Sequence, residues 1–143
     1  MNPLLRAPDR SGPLFGVDIP LARLFGLQGE QIGDDRARIR LPYRPEFTNS
    51  RGDVHGDAMS VLFDSALACA VRAHDPLHYG VVTIDLVIHF LMPSDGDIIA
   101  SAHCERRGRS LCFARGDALD AHGRLLAIAT GTFKLVERQL AGR

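Results

Sequence analysis

Between Asn49 and Asp64 the chain carries an amide, an imidazole, a bare glycine and a carboxylate, in the run Asn49-Ser-Arg-Gly-Asp-Val-His55-Gly56-Asp-Ala-Met-Ser-Val-Leu-Phe-Asp64. The first half is polar, like a loop. The second half is patterned like a helix, so Gly56 stands at a helix start. Backbone N–H groups there lack intrahelical partners, and the helix dipole is positive. A carbonyl oxygen gaining negative charge is stabilised at such a place. Glycine has no side chain to keep a bulky group away. Asn49 can orient the same oxygen, and Asp64 can activate a water.

Asp64 sits mid-helix among Leu62, Phe63, Ala66 and Leu67. Asp is a poor helix former and is seldom buried unpaired. It borders the apolar stripe rather than opposing it, which favours a working carboxylate over a solvent-facing acid. Other nucleophiles fit less well. Cys69 and Cys112 have no His and acid at readable spacing and read as core residues. Ser60 and Ser65 lack a G-x-S-x-G elbow.

Gly56 and Asp64 are eight residues apart on one helix. At about 1.5 Å per residue their backbones are roughly 12 Å apart. An Asp side chain and one water do not comfortably bridge that gap. If both act on one carbonyl, the carboxylate comes from a second copy of the helix. At least a homodimer follows, with the two long helices near each other. The helix has many small residues, which would let another backbone approach.

The elements that must hold these groups are short. A helix is expected over Ile19–Phe25, stopped by Gly26. Glu30 to Leu41 reads as a hairpin turning at Gly33-Asp34-Asp35, with Ala37, Ile39 and Leu41 alternating against Arg36, Arg38 and Arg40. Pro42 to Asp53 is loop. The long helix runs from Gly56 to about Ala73, with Ala58, Val61, Leu62, Ser65, Ala66, Cys69, Ala70 and Ala73 at three- and four-residue steps. Strands follow at Val81–Leu91, Asp97–Glu105, Ser110–Asp120 and Leu125–Val136, separated by turns, and are expected to form an antiparallel meander. The class is α+β, with five or six strands and one helix lying on the sheet.

The chain has 143 residues, 45% hydrophobic and 24% charged, with zero formal net charge. That is one domain of ordinary soluble composition. Zero net charge argues against a nucleic-acid partner. No apolar run is long enough to span a bilayer, and Met1 to Gly16 has no signal-like apolar stretch, so no membrane association or secretion is expected. Three cysteines without CxxC spacing fit buried thiols in a reducing cytoplasm. The scattered histidines make no metal pattern, and no cofactor motif is visible.

The chain resembles the hotdog-fold acyl-CoA thioesterases, in particular the PaaI-like (phenylacetate-degradation) group. The resemblance spans roughly residues 19–137, between an N-terminal arm (1–18, expected to be poorly ordered) and a tail (138–143). It rests on Asn49, His55-Gly56 and Asp64 at their spacing. Val82-Thr83-Ile84-Asp85-Leu86, Met92-Pro93, Gly108-Arg109-Ser110 and Ala129-Thr130-Gly131-Thr132-Phe133 extend it. It implies an antiparallel sheet wrapped around one long central helix, no cofactor, and homodimers that often pair as dimers of dimers. It implies hydrolysis of an acyl-CoA. In that chemistry the Gly56 N–H binds the thioester oxygen and Asn49 helps polarise it. Asp64 activates water or attacks directly, and Thr83 helps hold the water. His55 is the motif's loop histidine, with a variable role. Arg109 and Ser110 lie where relatives contact coenzyme A. Leu62, Phe63, Phe90 and Met92 are expected, from residue type, to wall the acyl pocket.

One position departs. Relatives typically read His-Gly-Gly, and here Asp57 stands second. As a solvated first-turn acid it supports the helix start; facing inward, it would oppose charge on the carbonyl oxygen. Three other readings compete: a hydratase or dehydratase, for which the expected Asp-x4-His pattern is missing, a non-catalytic domain that binds acyl-CoA or a regulatory ligand, and a purely structural dimer.

Overall fold

The computed structural model describes residues 14–138. Alternation of Arg36, Arg38 and Arg40 with Ala37, Ile39 and Leu41 produces the first hairpin, β1 (Gln28–Gly33) and β2 (Arg36–Leu41). Asp34 and Asp35 make its two-residue turn, both at positive φ (54° and 58°), as a tight hairpin needs. The alternating apolar residues are at most 3% exposed. Before the hairpin, α1 (Pro20–Phe25) starts on a proline and stops at Gly26. The expected arm differs at its inner end. Leu14–Gly16 forms a short 3-10 turn with Leu14 buried in the core, ahead of residue 19. Residues 1–13 and 139–143 lie outside the described residues.

The long helix α2 (Gly56–Val71) is followed by β3 (Tyr79–Phe90), β4 (Ile98–Arg107), β5 (Leu111–Leu119) and β6 (Leu125–Glu137). The six strands form one antiparallel sheet in the order β1-β2-β4-β5-β6-β3. The expected simple meander is corrected here: β3 pairs with β6, not with β4. The reason is α2, which follows β2 and crosses the sheet face, delivering β3 to the far edge. The chain then returns through residues 91–97. Leu91 and Met92 donate to the Leu126 carbonyl (2.8 and 3.1 Å), and the Ser94 carbonyl accepts from Val54 N–H (2.8 Å).

The core lies between α2 and the inner sheet face. Leu62, Phe63, Ala66, Leu67 and Ala70 are fully buried there. They meet small residues on the strands, among them Ala100, Ala114, Ala118 and Ala127. A Cβ on Gly116 would come within 2.9 Å of the Ser101 carbonyl oxygen and 3.0 Å of Leu67 Cδ1, so glycine is required under the helix. The small helix residues Ala58, Ala66 and Ala70 are therefore used by the protein's own sheet, not left open for a second helix. At the other end, Arg107 donates to the carbonyls of Ala70 and Val71 (3.5 and 2.9 Å) and pairs with Asp35 (2.7 Å). It closes the helix C-terminus, where a cation is favoured.

Asp120 organises the β5–β6 turn. Its carboxylate accepts from the backbone N–H groups of His122 and Arg124 (both 2.9 Å) and from Arg124 Nε (2.7 Å). These bonds, led by that from the Arg124 backbone, hold its pKa below the ordinary 3.8. A depressed carboxylate pKa adds stability above the unfolded value, which is lost as pH falls through the folded value. Asp120→Ala is therefore expected to be less stable than wild type above about pH 4. The difference should shrink as pH drops below 3.8. Chemical denaturation at several pH values checks this, and a pH-independent difference would show that the charge is not what holds the turn.

Candidate active site

The loop before α2 is fixed at both ends. Thr48 bridges Val54, and His55 N–H donates to the Phe47 carbonyl (2.7 Å). Inside it, Asn49 Oδ1 accepts from the N–H groups of Arg51 (2.9 Å) and Asp53 (3.2 Å). The amide oxygen is thus occupied by the loop itself, and Nδ2 is the group left to donate outward.

His55 is the N-cap of α2. Its Nδ1 accepts from Asp57 N–H at 3.0 Å, so in this arrangement the ring proton of the neutral imidazole sits on Nε2. The His55 carbonyl accepts from Ala58 and Met59 N–H. The Gly56 N–H has no protein partner among the described residues and lies at the positive end of a 16-residue helix. The Phe90 ring lies against this glycine, 3.3 Å from where a Cβ would be.

Two turns along α2, Asp64 meets the edge strand. Thr83 Oγ1 donates to Asp64 Oδ1 at 2.7 Å. The bond fixes the carboxylate and leaves Oδ2 for another partner. The two side chains share an open cleft of ≈ 350 Å³, with Ser60 and Ser65 adding polar lining and Leu21, Val61 and Leu86 apolar lining. The Ser60 hydroxyl donates back to the Gly56 carbonyl (3.0 Å), which occupies its proton in the helix.

The structure brings Asn49, His55 and Gly56 together at the start of α2, and Asp64 with Thr83 midway along it. Arg109 and Ser110 are exposed on the β4–β5 turn, beside the C-terminus of α2 and away from Gly56. Leu62 and Phe63 do not wall the cleft. They point into the core at zero exposure, because the helix face toward the cleft is that of Ser60, Val61, Asp64 and Ser65. Phe90 and Met92 are half-exposed, and neither lines the cleft around Asp64. Leu21 and Leu86 were missed. The signal for Leu21 was a leucine on a short helix too small to bury both of its own. Cys69, Cys104 and Cys112 are buried, and burial pushes each thiol pKa up, which suits core residues rather than nucleophiles. No group of residues able to hold a metal occurs among the described residues. Among the described residues no helix is long and apolar enough to cross a membrane.

The Asp57 side chain is 95% exposed and points away from the protomer. Asp57→Gly is accordingly expected to lower stability slightly, by loss of a first-turn acid and of helix propensity, and to leave the rate within about twofold. A rise in kcat/KM of about tenfold or more would place Asp57 at the substrate instead.

A six-stranded antiparallel sheet against one long helix is the architecture of a hotdog-fold thioesterase. The chain belongs to the Thioesterase superfamily, whose model matches residues 51–127. It is similar to a Halobacterium salinarum protein provisionally named an esterase, with 34% identity over 129 residues covering 82% of this chain and 85% of that protein. Its fold is similar to that of the Escherichia coli PaaI protein from the phenylacetic acid degradation operon (TM-score 0.77, 17% identity, 83% of this chain and 86% of that one). It is likewise similar to the Haemophilus influenzae thioesterase HI1161 (TM-score 0.76, 17% identity, 86% and 87%). Thioester hydrolysis is the general chemistry this membership supports.

Proposed function

We propose that the protein hydrolyses an acyl-CoA thioester to the free acid and coenzyme A, at a site completed by a second copy of the chain. One observation carries this. The two halves of the site lie on one continuous helix, roughly 12 Å apart, yet both touch the same edge strand, seven residues apart along it. Gly56 lies against Phe90, and Asp64 is bonded to Thr83. β3 is a 12-residue edge strand with exposed Val82, Ile84, Val87 and Phe90. A long apolar edge invites another strand. Two β3 strands pairing antiparallel about a two-fold axis at Val87 would, with Ile84 as an extra residue in the strand, set Thr83 opposite the partner's Phe90. Asp64 would then face the partner's Gly56.

In this site the Gly56 N–H and Asn49 Nδ2 hold the thioester carbonyl oxygen. Asp64 Oδ2 takes a proton from water as the water oxygen bonds to the carbonyl carbon. The tetrahedral intermediate then collapses, the C–S bond breaks, and the proton on Asp64 passes to the departing sulfur. Thr83 and His55 act as positioning residues. The acyl group rests on Leu21, Val61 and Leu86, while Arg109 and Ser110 suit the phosphates of coenzyme A. The buried thiols fit a cytoplasmic setting, and dimers of dimers fit the family.

A panel of aliphatic and aryl acyl-CoAs with free-thiol detection tests this, run on wild type and Asp64→Ala with light scattering alongside. Thiol release from at least one acyl-CoA, lost in the variant, by a dimer or larger, is expected. Tight acyl-CoA binding without release would favour the non-catalytic alternative. A monomer that still hydrolyses would remove the composite site.

A further inference from the structure

We propose that Asp85 is a positioning residue that locks a bulge in β3 and thereby aims the Thr83 hydroxyl at Asp64. Its kinetic consequences rest on the function proposed above; its structural consequence does not.

Side chains alternate faces along a strand. Thr83 faces α2, since it bonds to Asp64. Leu86 lines the same cleft, and Phe90 touches Gly56, so both also face α2. Thr83 and Leu86 are an odd number of residues apart and should face opposite ways. The conflict is resolved by a bulge. Thr83 pairs with Phe133 and Asp85 with Thr132, leaving Ile84 as the extra residue. In a regular ladder that kept Leu86 and Phe90 inward, Thr83 would turn outward and its hydroxyl would leave Asp64.

A bulge needs its displaced backbone groups satisfied. Here the N–H of Thr132, directly across from the bulge, donates to Asp85 Oδ1 at 2.9 Å. Gly131 lets β6 come close at this point: a Cβ there would lie 3.1 Å from the Asp85 carbonyl oxygen. The neighbouring register is held by Phe133, which is fully buried. Asp85 is therefore more than a charged residue on a solvent-facing edge. Its carboxylate takes up the N–H that the bulge leaves over, and the bulge is what turns Thr83 inward.

Four single variants and one double variant test this: Asp85→Ala, Asp85→Val, Asp85→Asn, Thr83→Val, and Thr83→Val combined with Asp85→Ala. Valine keeps strand propensity without an acceptor, and asparagine keeps an acceptor oxygen. The readouts are the carboxyl carbon resonance of Asp64, hydrogen exchange at Thr132 N–H, and the split between kcat and KM. In Asp85→Ala and Asp85→Val the Asp64 resonance should move in the same sense as in Thr83→Val, and Thr132 should exchange faster. Both variants should lose about tenfold in kcat with KM within about twofold, and Asp85→Asn should stay near wild type. The double variant Thr83→Val/Asp85→Ala should be no slower than Thr83→Val alone, because no hydroxyl remains to be aimed. An unmoved Asp64 resonance in the folded Ala and Val variants would overturn the proposal, as would multiplicative rate losses in the double variant. If wild type releases no thiol from any acyl-CoA, the proposed function fails, and the resonance and exchange arms still decide the role of Asp85.

Discussion

Asp64→Asn is expected to lower kcat/KM for acyl-CoA hydrolysis by about 10²- to 10⁴-fold, the usual contribution of a positioned general base. The replacement nearly keeps shape. Its amide oxygen can still accept from Thr83 Oγ1, which donates to Asp64 at 2.7 Å in the wild type. The apolar lining of the cleft by Leu21, Val61 and Leu86 is untouched, so KM should stay within a few-fold and the melting temperature should hardly move. What is lost is a carboxylate able to accept a proton from water. A loss confined to kcat is the signature of an interaction made in the transition state rather than in binding. A loss of less than about tenfold, with the variant folded and the substrate bound, would show that another group activates the water. The Ser60 hydroxyl is tied to the Gly56 carbonyl, and all three thiols are buried. Neither is ready to take that place.

Much of the fold was legible because local and global signals agree in it. Arg36 to Leu41 alternates strictly and has one sheet face to choose. Gly56 to Val71 shows the helical period, and a proline and a glycine bracket α1. Asp64 could be singled out because a mid-helix carboxylate bordering an apolar stripe is unusual in a plain scaffold, whereas Asn49, His55 and Gly56 stood out by the spacing they share with the thioesterases the chain resembles. The strand order was not legible. Turn residues show that the chain reverses, but not that α2 carries β3 past three other strands. The facing of α2 was misjudged for a similar reason. Leu62 and Phe63 look like pocket walls by type, yet their angular position aims them at the sheet. Thr83 is the sharpest case. Val81 to Phe90 is almost uniformly apolar, so period two has little to grip. Its two clearest polar markers, Asp85 and His89, share a face and by strict alternation would put Thr83 with them, away from Asp64. Only the bulge reverses that parity, and a bulge is a property of two paired strands, not of one.

Mixed oligomers provide the second large effect. Gly56→Val and Asp64→Ala should each be nearly inactive, yet together they should recover about one quarter of wild-type activity after co-refolding. The reasoning is combinatorial. Random pairing makes about half of the dimers heterodimers. In each of these, one site joins the intact Gly56 N–H of the Asp64→Ala protomer with the intact Asp64 of the Gly56→Val protomer. The other site lacks both. If instead each protomer used its own Gly56 and Asp64, every site in every combination would lack one member and no activity would return. Valine suits the first variant. Its side chain would crowd the N–H and the Phe90 ring, 3.3 Å from the Cβ position, while the helix itself tolerates it. The same distance makes the result depend on pairing along β3, because the ring that touches Gly56 is seven residues further along the strand than the hydroxyl that holds Asp64. Affinity tags of two kinds allow the heterodimer to be isolated and its activity read without the parents, where about half of wild-type activity per dimer is expected. Isolated heterodimers as inactive as either parent would place both groups in one subunit, and the antiparallel β3 pairing would lose its functional basis.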